Sequence, residues 1–316
     1  MTDVPDERLD VLEQMFNPRK KTYAKVTFAD IAGLEEGVAR KGLPPNFIGL
    51  LSRMDALVHV LRGFPNPAVP PVSGKVDPAR DLAVLEAEFL LHDLGLVEKR
   101  SERIAEGLKK GALDRERALA EKVLFERLQD ALEQEQPLRE LPLTAEEIKT
   151  LKGYGFLSLK PVLILVNTGD DGQAPPVSYD HPQSRIVHLS GKLESELAEL
   201  PPEEAELFKA EFGISELSRG PMIRLSYSLL GLQSFFTVGE DEVRAWTIRL
   251  GGTALEAAGA IHSDLAKGFI RAEVIGYDEL AALGGLTQAK NKGRLRLEGK
   301  DYPVQDGEIV HIRHNL

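Results

Sequence analysis

The sequence predicts an α/β protein in three parts: a doubly wound parallel sheet, an antiparallel helical arm inserted into it, and a carboxyl-terminal α+β module. Three observations carry that expectation. Residues 55–62 and 160–167 are short, nearly continuous apolar runs, the pattern of strands covered in a parallel sheet. Between them, Leu82, Leu85, Phe89, Leu96, Ile104, Leu108, Leu124, Leu128 and Leu132 recur at helical spacing, interrupted near Gly107 and Gly111. Beyond Gln233, β-branched runs alternate with short helical stretches bounded by glycines, which suits a compact mixed module.

Composition sets the outer bounds. With 316 residues and 42% hydrophobic content the chain can bury two or three cores. It has no apolar run of membrane-spanning length, and its first residues have neither the basic start nor the apolar middle of a signal peptide, so a soluble protein without a membrane partner is expected. Zero cysteines exclude disulfide partners and thiolate metal sites, which fits a cytoplasmic location. The net charge of -11 argues against a general polyanion binder and leaves room only for a local basic patch.

Taken in order, residues 5–16 predict a short helix with Leu9, Leu12 and Phe16 on one face, ended by Asn17-Pro18. Val26 and Phe28 then alternate with Lys25 and Thr27, which predicts a strand with Asp30 at its carboxyl end. Open α/β sheets hold their ligands at that edge. An Asp30-x-x-Gly33 corner suits a nucleoside triphosphate, because the carboxylate can hold magnesium through a water and a glycine N–H can meet a terminal phosphate unobstructed. An ordinary strand-to-loop corner has the same letters. Residues 35–45, with Gly37, Gly42 and two prolines, fit a ligand-sensing loop or a plain connector.

An apolar helix is expected over 46–54, and the run 55–62 reads as a strand covered on both faces, with His59 a core histidine. Residues 63–77 form a proline-rich loop. The helical arm follows, its intervening charges solvated. At the end of the next strand, the Asn167 amide can brace a neighbouring loop and Asp170 can accept from the ring N–H groups of a base, although a capped turn is equally consistent. The strand 186–189 runs into Ser190-Gly191-Lys192. In the last module, strands are expected over 243–249, 269–275, 294–297 and 308–313, with helices over 253–261 and 278–283. Lys290, Lys292, Arg294, Arg296 and Lys300 are its basic concentration, either a solvated strand face or a contact for RNA phosphates.

Several stretches together resemble one family. Phe235-Phe236-Thr237-Val238-Gly239, Glu242 to Ile248, Ile261-His262-Ser263-Asp264, Lys267 to Ile275 and Arg296 to Tyr302 resemble the TGS region of the YchF family, the Obg-like ATPases. Asp30-Ile31-Ala32-Gly33-Leu34 and Gly74 to Asp81 are similar to that family's nucleotide-binding domain. The resemblance implies a truncated P-loop G domain over residues 1–80 and 157–232, an inserted arm over 81–156 and a TGS β-grasp domain over 233–316. It further implies magnesium with ATP or GTP, hydrolysis of that nucleotide, and a ribosomal or RNA partner reached through the arm and the TGS domain.

Site residues carry over one at a time. Asp30 and Gly33 resemble the magnesium and γ-phosphate loop, and Leu34 stands where many GTPases have a water-orienting glutamine. Asn167 and Asp170 fall at the base-reading motif, with Thr168 in place of its usual lysine, so ATP versus GTP is open. Ser190, Gly191 and Lys192 resemble the loop over the base. The family's proposed catalytic histidine falls at Pro71. No Gly-x-x-x-x-Gly-Lys-Ser/Thr occurs. The chain begins about where the family has completed its phosphate loop, so a shortened version of a longer protein is expected, with hydrolysis impaired or absent. The alternative is a non-catalytic TGS-containing adaptor for RNA or a ribosomal partner.

Overall fold

The computed structural model describes residues 1–31, 42–71, 74–111, 114–169, 172–211 and 217–315. They form two compact units, one built from both ends of the chain, residues 1–30 with 219–316, and one from the middle, residues 31–218.

The amino-terminal segment holds β1 (Thr2–Asp3), α1 (Glu7–Phe16), β2 (Lys20–Thr22) and β3 (Lys25–Val26). Asp6 caps α1 by accepting from the Arg8 N–H, and Asn17 closes it in the left-handed region at φ 44°. Leu9 and Leu12 are fully buried in one core with Val4, Val26, Phe236 and Ile309. That packing corrects the expected domain boundary, because it gives residues 1–30 to the terminal unit rather than to the parallel sheet. It also shortens the expected strand. Val26 pairs antiparallel with Thr2 and is buried, whereas residues 27–30 pair with no strand, so Phe28 and Asp30 lie exposed.

The middle unit runs α2 (Pro45–Leu51), β4 (Leu57–Arg62), α3 (Pro78–Lys110), α4 (Arg115–Glu133), a 3-10 turn at Leu138–Glu140, α5 (Ala145–Leu151), β5 (Val162–Asn167), β6 (Ser184–Leu189), α6 (Gly191–Glu199) and α7 (Pro202–Glu211). Strands β4, β5 and β6 pair in parallel in that order, and their register sets Arg62, Asn167 and Leu189 side by side at the carboxyl edge. β5 is covered on both faces, as its composition predicts. β4 is not. Leu57, His59 and Leu61 turn inward, but Val58 and Val60 are 36% and 66% exposed, because β4 is the edge strand among the described residues. His59 is a core residue, as expected.

The arm is the helix pair α3 and α4. Asp77 caps α3 and Gly111 ends it at φ 64°. Arg100 donates to both carboxylate oxygens of Glu121, at 2.9 and 2.8 Å, while Ile104, Phe125 and Leu128 fill the seam. At its base Asp93 is fully buried and accepts from the N–H groups of Leu157 and Ser158 at 2.9 and 2.7 Å, tying α3 to the approach of β5.

The carboxyl-terminal part adds α8 (Arg219–Leu229), β7 (Leu232–Thr237), β8 (Glu242–Arg249), α9 (Ala254–Ile261), α10 (Ser263–Lys267), β9 (Phe269–Gly276), α11 (Tyr277–Leu283), α12 (Leu286–Asn291), β10 (Arg296–Glu298) and β11 (Glu308–His314). The sheet order is β10-β9-β11-β7-β8-β2, so the amino-terminal β2 closes its edge by pairing in parallel with β8. Ala272 and Val274 of β9 face the core under α9, whereas Ile275 faces the core under α1, α8, α11 and α12. This is a β-grasp sheet carrying helices on both faces. Arg8 crosses from α1 to donate to Asp306 at 2.7 Å, beside Gly307, whose φ is 81°.

Candidate functional site

The aligned ends of β4, β5 and β6 bring three loops together. Asn167 closes β5, and its Oδ1 accepts from the Gly191 N–H at 2.9 Å. A Cβ on Gly191 would stand 3.1 Å from that oxygen, so the approach favours glycine. The Thr168 N–H and hydroxyl both donate to the Leu189 carbonyl, at 2.8 and 3.2 Å, which locks the same two loops a second time. On the other side the Gly63 N–H donates to the Asn167 carbonyl at 2.7 Å, where a Cβ would meet Ala174 at 2.8 Å.

Ser190 precedes α6, and its Oγ is buried without a partner among the described residues. An orphaned buried hydroxyl beside the N–H groups of a helix start is a set of polar atoms awaiting a ligand or water. Lys192 lies exposed in the first turn of α6, 3.9 Å from Glu196. A braced amide, a free hydroxyl and a helix start suit the polar edge of a planar heterocycle. The structure therefore brings Asn167, Ser190, Gly191 and Lys192 together.

Arg62 went unnoticed in the sequence. Its guanidinium donates to the carbonyls of Phe64, Asn66 and Val69 at 2.9, 3.2 and 2.6 Å and so holds the proline-rich loop against the sheet edge. An arginine closing an apolar strand before a proline-rich loop was the available signal. Within that loop Pro71 is half-buried, and its carbonyl accepts from the Gly74 N–H at 3.4 Å. In the Gly74 to Asp81 motif, Asp77 starts α3 and Arg80 donates to the Lys75 carbonyl at 3.0 Å.

The remaining candidates are not gathered there. Asp30 is exposed and ends the other unit's amino-terminal segment. Gly33, Leu34 and Asp170 lie outside the described residues. No group of three His, Asp or Glu side chains able to hold a metal occurs among the described residues, so the base end of a nucleotide fits the assembled corner while its magnesium end does not.

The basic concentration is divided as well. Arg296 donates to the buried Glu308 carboxylate and, at 3.0 Å, to the Tyr302 hydroxyl, so its charge is already answered. Burial works against the charged guanidinium, yet Tyr302 and Glu308 outweigh it and raise its pKa. Burial also pushes the Tyr302 hydroxyl up to about 12. Arg294 lies before β10, 3.4 Å from Glu279, and Leu297 on the strand is exposed, so the expected alternation of cations outside and leucines inside fails there. Lys290 and Lys292 end α12 on one face of the sheet, whereas the Lys300 carbonyl accepts from the Leu255 N–H of α9 on the other.

Residues 232–315 match the family model YchF-GTPase_C, described as a protein of unknown function (DUF933). Over 327 residues the chain is 40% identical to the Ribosome-binding ATPase YchF of Bacillus subtilis (strain 168), covering 100% of this chain and 88% of that protein. The chain belongs to the YchF family. A second YchF relative, the Ribosome-binding ATPase YchF of Haemophilus influenzae, is 39% identical over 321 residues, covering 99% of this chain and 88% of that protein. The structure of the Schizosaccharomyces pombe YchF GTPase aligns with a TM-score of 0.85 at 28% identity, covering 99% of this chain and 86% of that one. The YchF architecture of a G-domain sheet with an inserted helical arm and a β-grasp domain is thus the fold of this protein, as its sequence predicts. No helix among the described residues is long and apolar enough to cross a membrane.

Proposed function

We propose that this protein is a ribosome-associated nucleotide-binding protein that receives a purine nucleotide base at the corner formed by Asn167, Ser190, Gly191 and Lys192. The supporting observation is the bond from the Gly191 N–H to Asn167 Oδ1, which fixes two loops at the carboxyl edge of a parallel sheet, where such folds hold ligands. Asp30, Gly33 and Asp170 are the further candidates for magnesium, phosphate and base, and Leu34 and Pro71 stand where a water-orienting or proton-donating side chain is wanted. Because the 316 residues contain no Gly-x-x-x-x-Gly-Lys-Ser/Thr, the phosphates meet few backbone donors from this chain, and hydrolysis by it is slow or absent.

A thermal-shift measurement with magnesium and ATP, GTP or neither tests this, since a ligand bound only by the folded state raises the melting temperature. A shift with one nucleotide that disappears in Asn167→Ala supports the base corner. The exposed position of Asp30 and the missing phosphate motif favour a second reading, a non-catalytic adaptor; no shift with either nucleotide selects it.

For the ribosomal partner, Lys290 and Lys292 are the better RNA contacts, because they have no ion-pair partner among the described residues whereas Arg296 is held by Glu308. Lys290→Ala with Lys292→Ala should weaken ribosome co-sedimentation more at moderate salt than at low salt. Unaltered co-sedimentation would return both lysines to a solvated surface.

A further inference from the structure

We propose that the middle unit carries a second ligand site, unconnected with the base corner, for a short alkyl chain ending in a primary ammonium group. The site is a cavity of about 430 Å³ between α3, the end of α4 and the segment holding Tyr179. Its walls are Ala83, Ala87, Leu90, Leu91 and Leu132, which leave room for four to six methylene groups and offer them only apolar contact. Ala83, Ala87 and Leu91 recur every fourth residue on α3 and all three are exposed, so this face of the helix is left uncovered along the cavity.

The polar end of the cavity decides the sign of the ligand. Glu86 lines it and is 9% exposed. One carboxylate oxygen is held by Arg139, which is itself buried; the other, Oε2, has no partner. A buried carboxylate with one oxygen unanswered is a costly arrangement unless a donor supplies the missing bond. Rotation about the terminal torsion of Glu86, which is soft, turns that oxygen toward the cavity. Glu135 stands at the rim with a second, exposed carboxylate. Arg139 offsets only one of these two charges, and His181 on the opposite wall is already engaged by Glu140. The surplus is negative, so the cavity accepts an ammonium and rejects a carboxylate on the same alkyl chain. The source is either a free amine or the side chain of a lysine.

Titration calorimetry on the full chain with n-hexylamine, n-hexanol and hexanoate at pH 7 tests the assignment, with N-acetyl-lysine methylamide as the arm that separates a free amine from a lysine side chain. Hexylammonium should bind about tenfold more tightly than hexanoate, and hexanol should fall between them. Ala83→Leu with Ala87→Leu fills the cavity at exposed helical positions, where leucine is a good helix former, and should abolish binding of all the ligands while far-UV dichroism is unchanged. Glu135→Gln should narrow the preference for ammonium without altering the melting temperature. Equal binding of hexylammonium and hexanol, no binding of hexylammonium, or binding that survives the filled cavity each overturns the proposal.

Discussion

His59 shows how a single buried side chain sets a pH limit on this fold. It packs edge-on against Phe89, ring centroids 5.4 Å apart, and neither ring nitrogen has a partner among the described residues. Burial pulls its pKa down from 6.5 to about 4, against the opposing attraction of Glu86. The folded protein therefore keeps the imidazole neutral where the unfolded chain would protonate it. Its contribution to stability is complete above pH 6.5 and is lost as pH falls toward 4. Asp93 acts in the opposite sense. Burial pushes its carboxyl up to about 6 despite the bonds from Ser158 and Leu157, so its contribution is complete below the unfolded value of 3.8 and is lost as pH rises through 6. His59→Phe should consequently flatten the fall in melting temperature between pH 6.5 and 4. An acid limb identical to that of the parent protein would show that the histidine is not its source.

At the scale of elements, the amino-terminal helix is fastened to the β-grasp sheet at one crowded point. Arg8 donates to Asp6 within its own cap and to Asp306 in the turn before β11. Gly307, at φ 81°, lies so close that a Cβ there would be 2.5 Å from Arg8 Nη1. A side chain at this position meets both a left-handed backbone and the guanidinium. Gly307→Ala should therefore destabilise the terminal unit by about 1–2 kcal/mol, measured by urea unfolding. If the mutant unfolds at the parent midpoint, Arg8 moves aside without loss and the helix is not fastened there. The ion pair itself contributes modestly, since both partners are partly exposed and screened.

For the molecule as a whole, the division into a middle unit and a unit closed by both termini makes a further prediction. Residues 31–218 expressed alone should melt cooperatively by circular dichroism, whereas 219–316 alone should not fold fully until a peptide of residues 1–30 is added, because Leu9 and Leu12 complete its core and β2 closes its sheet edge. Cooperative melting of 219–316 without the peptide would contradict this. The same division marks how far the sequence could be read. The runs that became β4 and β5, the long arm helices and each element after Gln233 were legible because their patterns are local, and so was the Asn167 corner, since an amide at a strand end has few other uses. The allegiance of residues 1–30 was not legible: Lys20–Thr22 pairs with Glu242–Arg244, and no local periodicity encodes a partner that far along the chain. Nor was the exposure of Val60, which depends on β4 being an edge, nor the use of Arg296 on Glu308 rather than on solvent.

During synthesis the first thirty residues leave the exit tunnel before anything they belong with exists. The stripe of Leu9 and Leu12 must stay uncovered while nearly two hundred intervening residues are translated and the middle unit collapses beside it. A nascent chain of this protein therefore shows a short sticky helix until its very last strand is made, and any chaperone that attends its birth should bind there first and let go last.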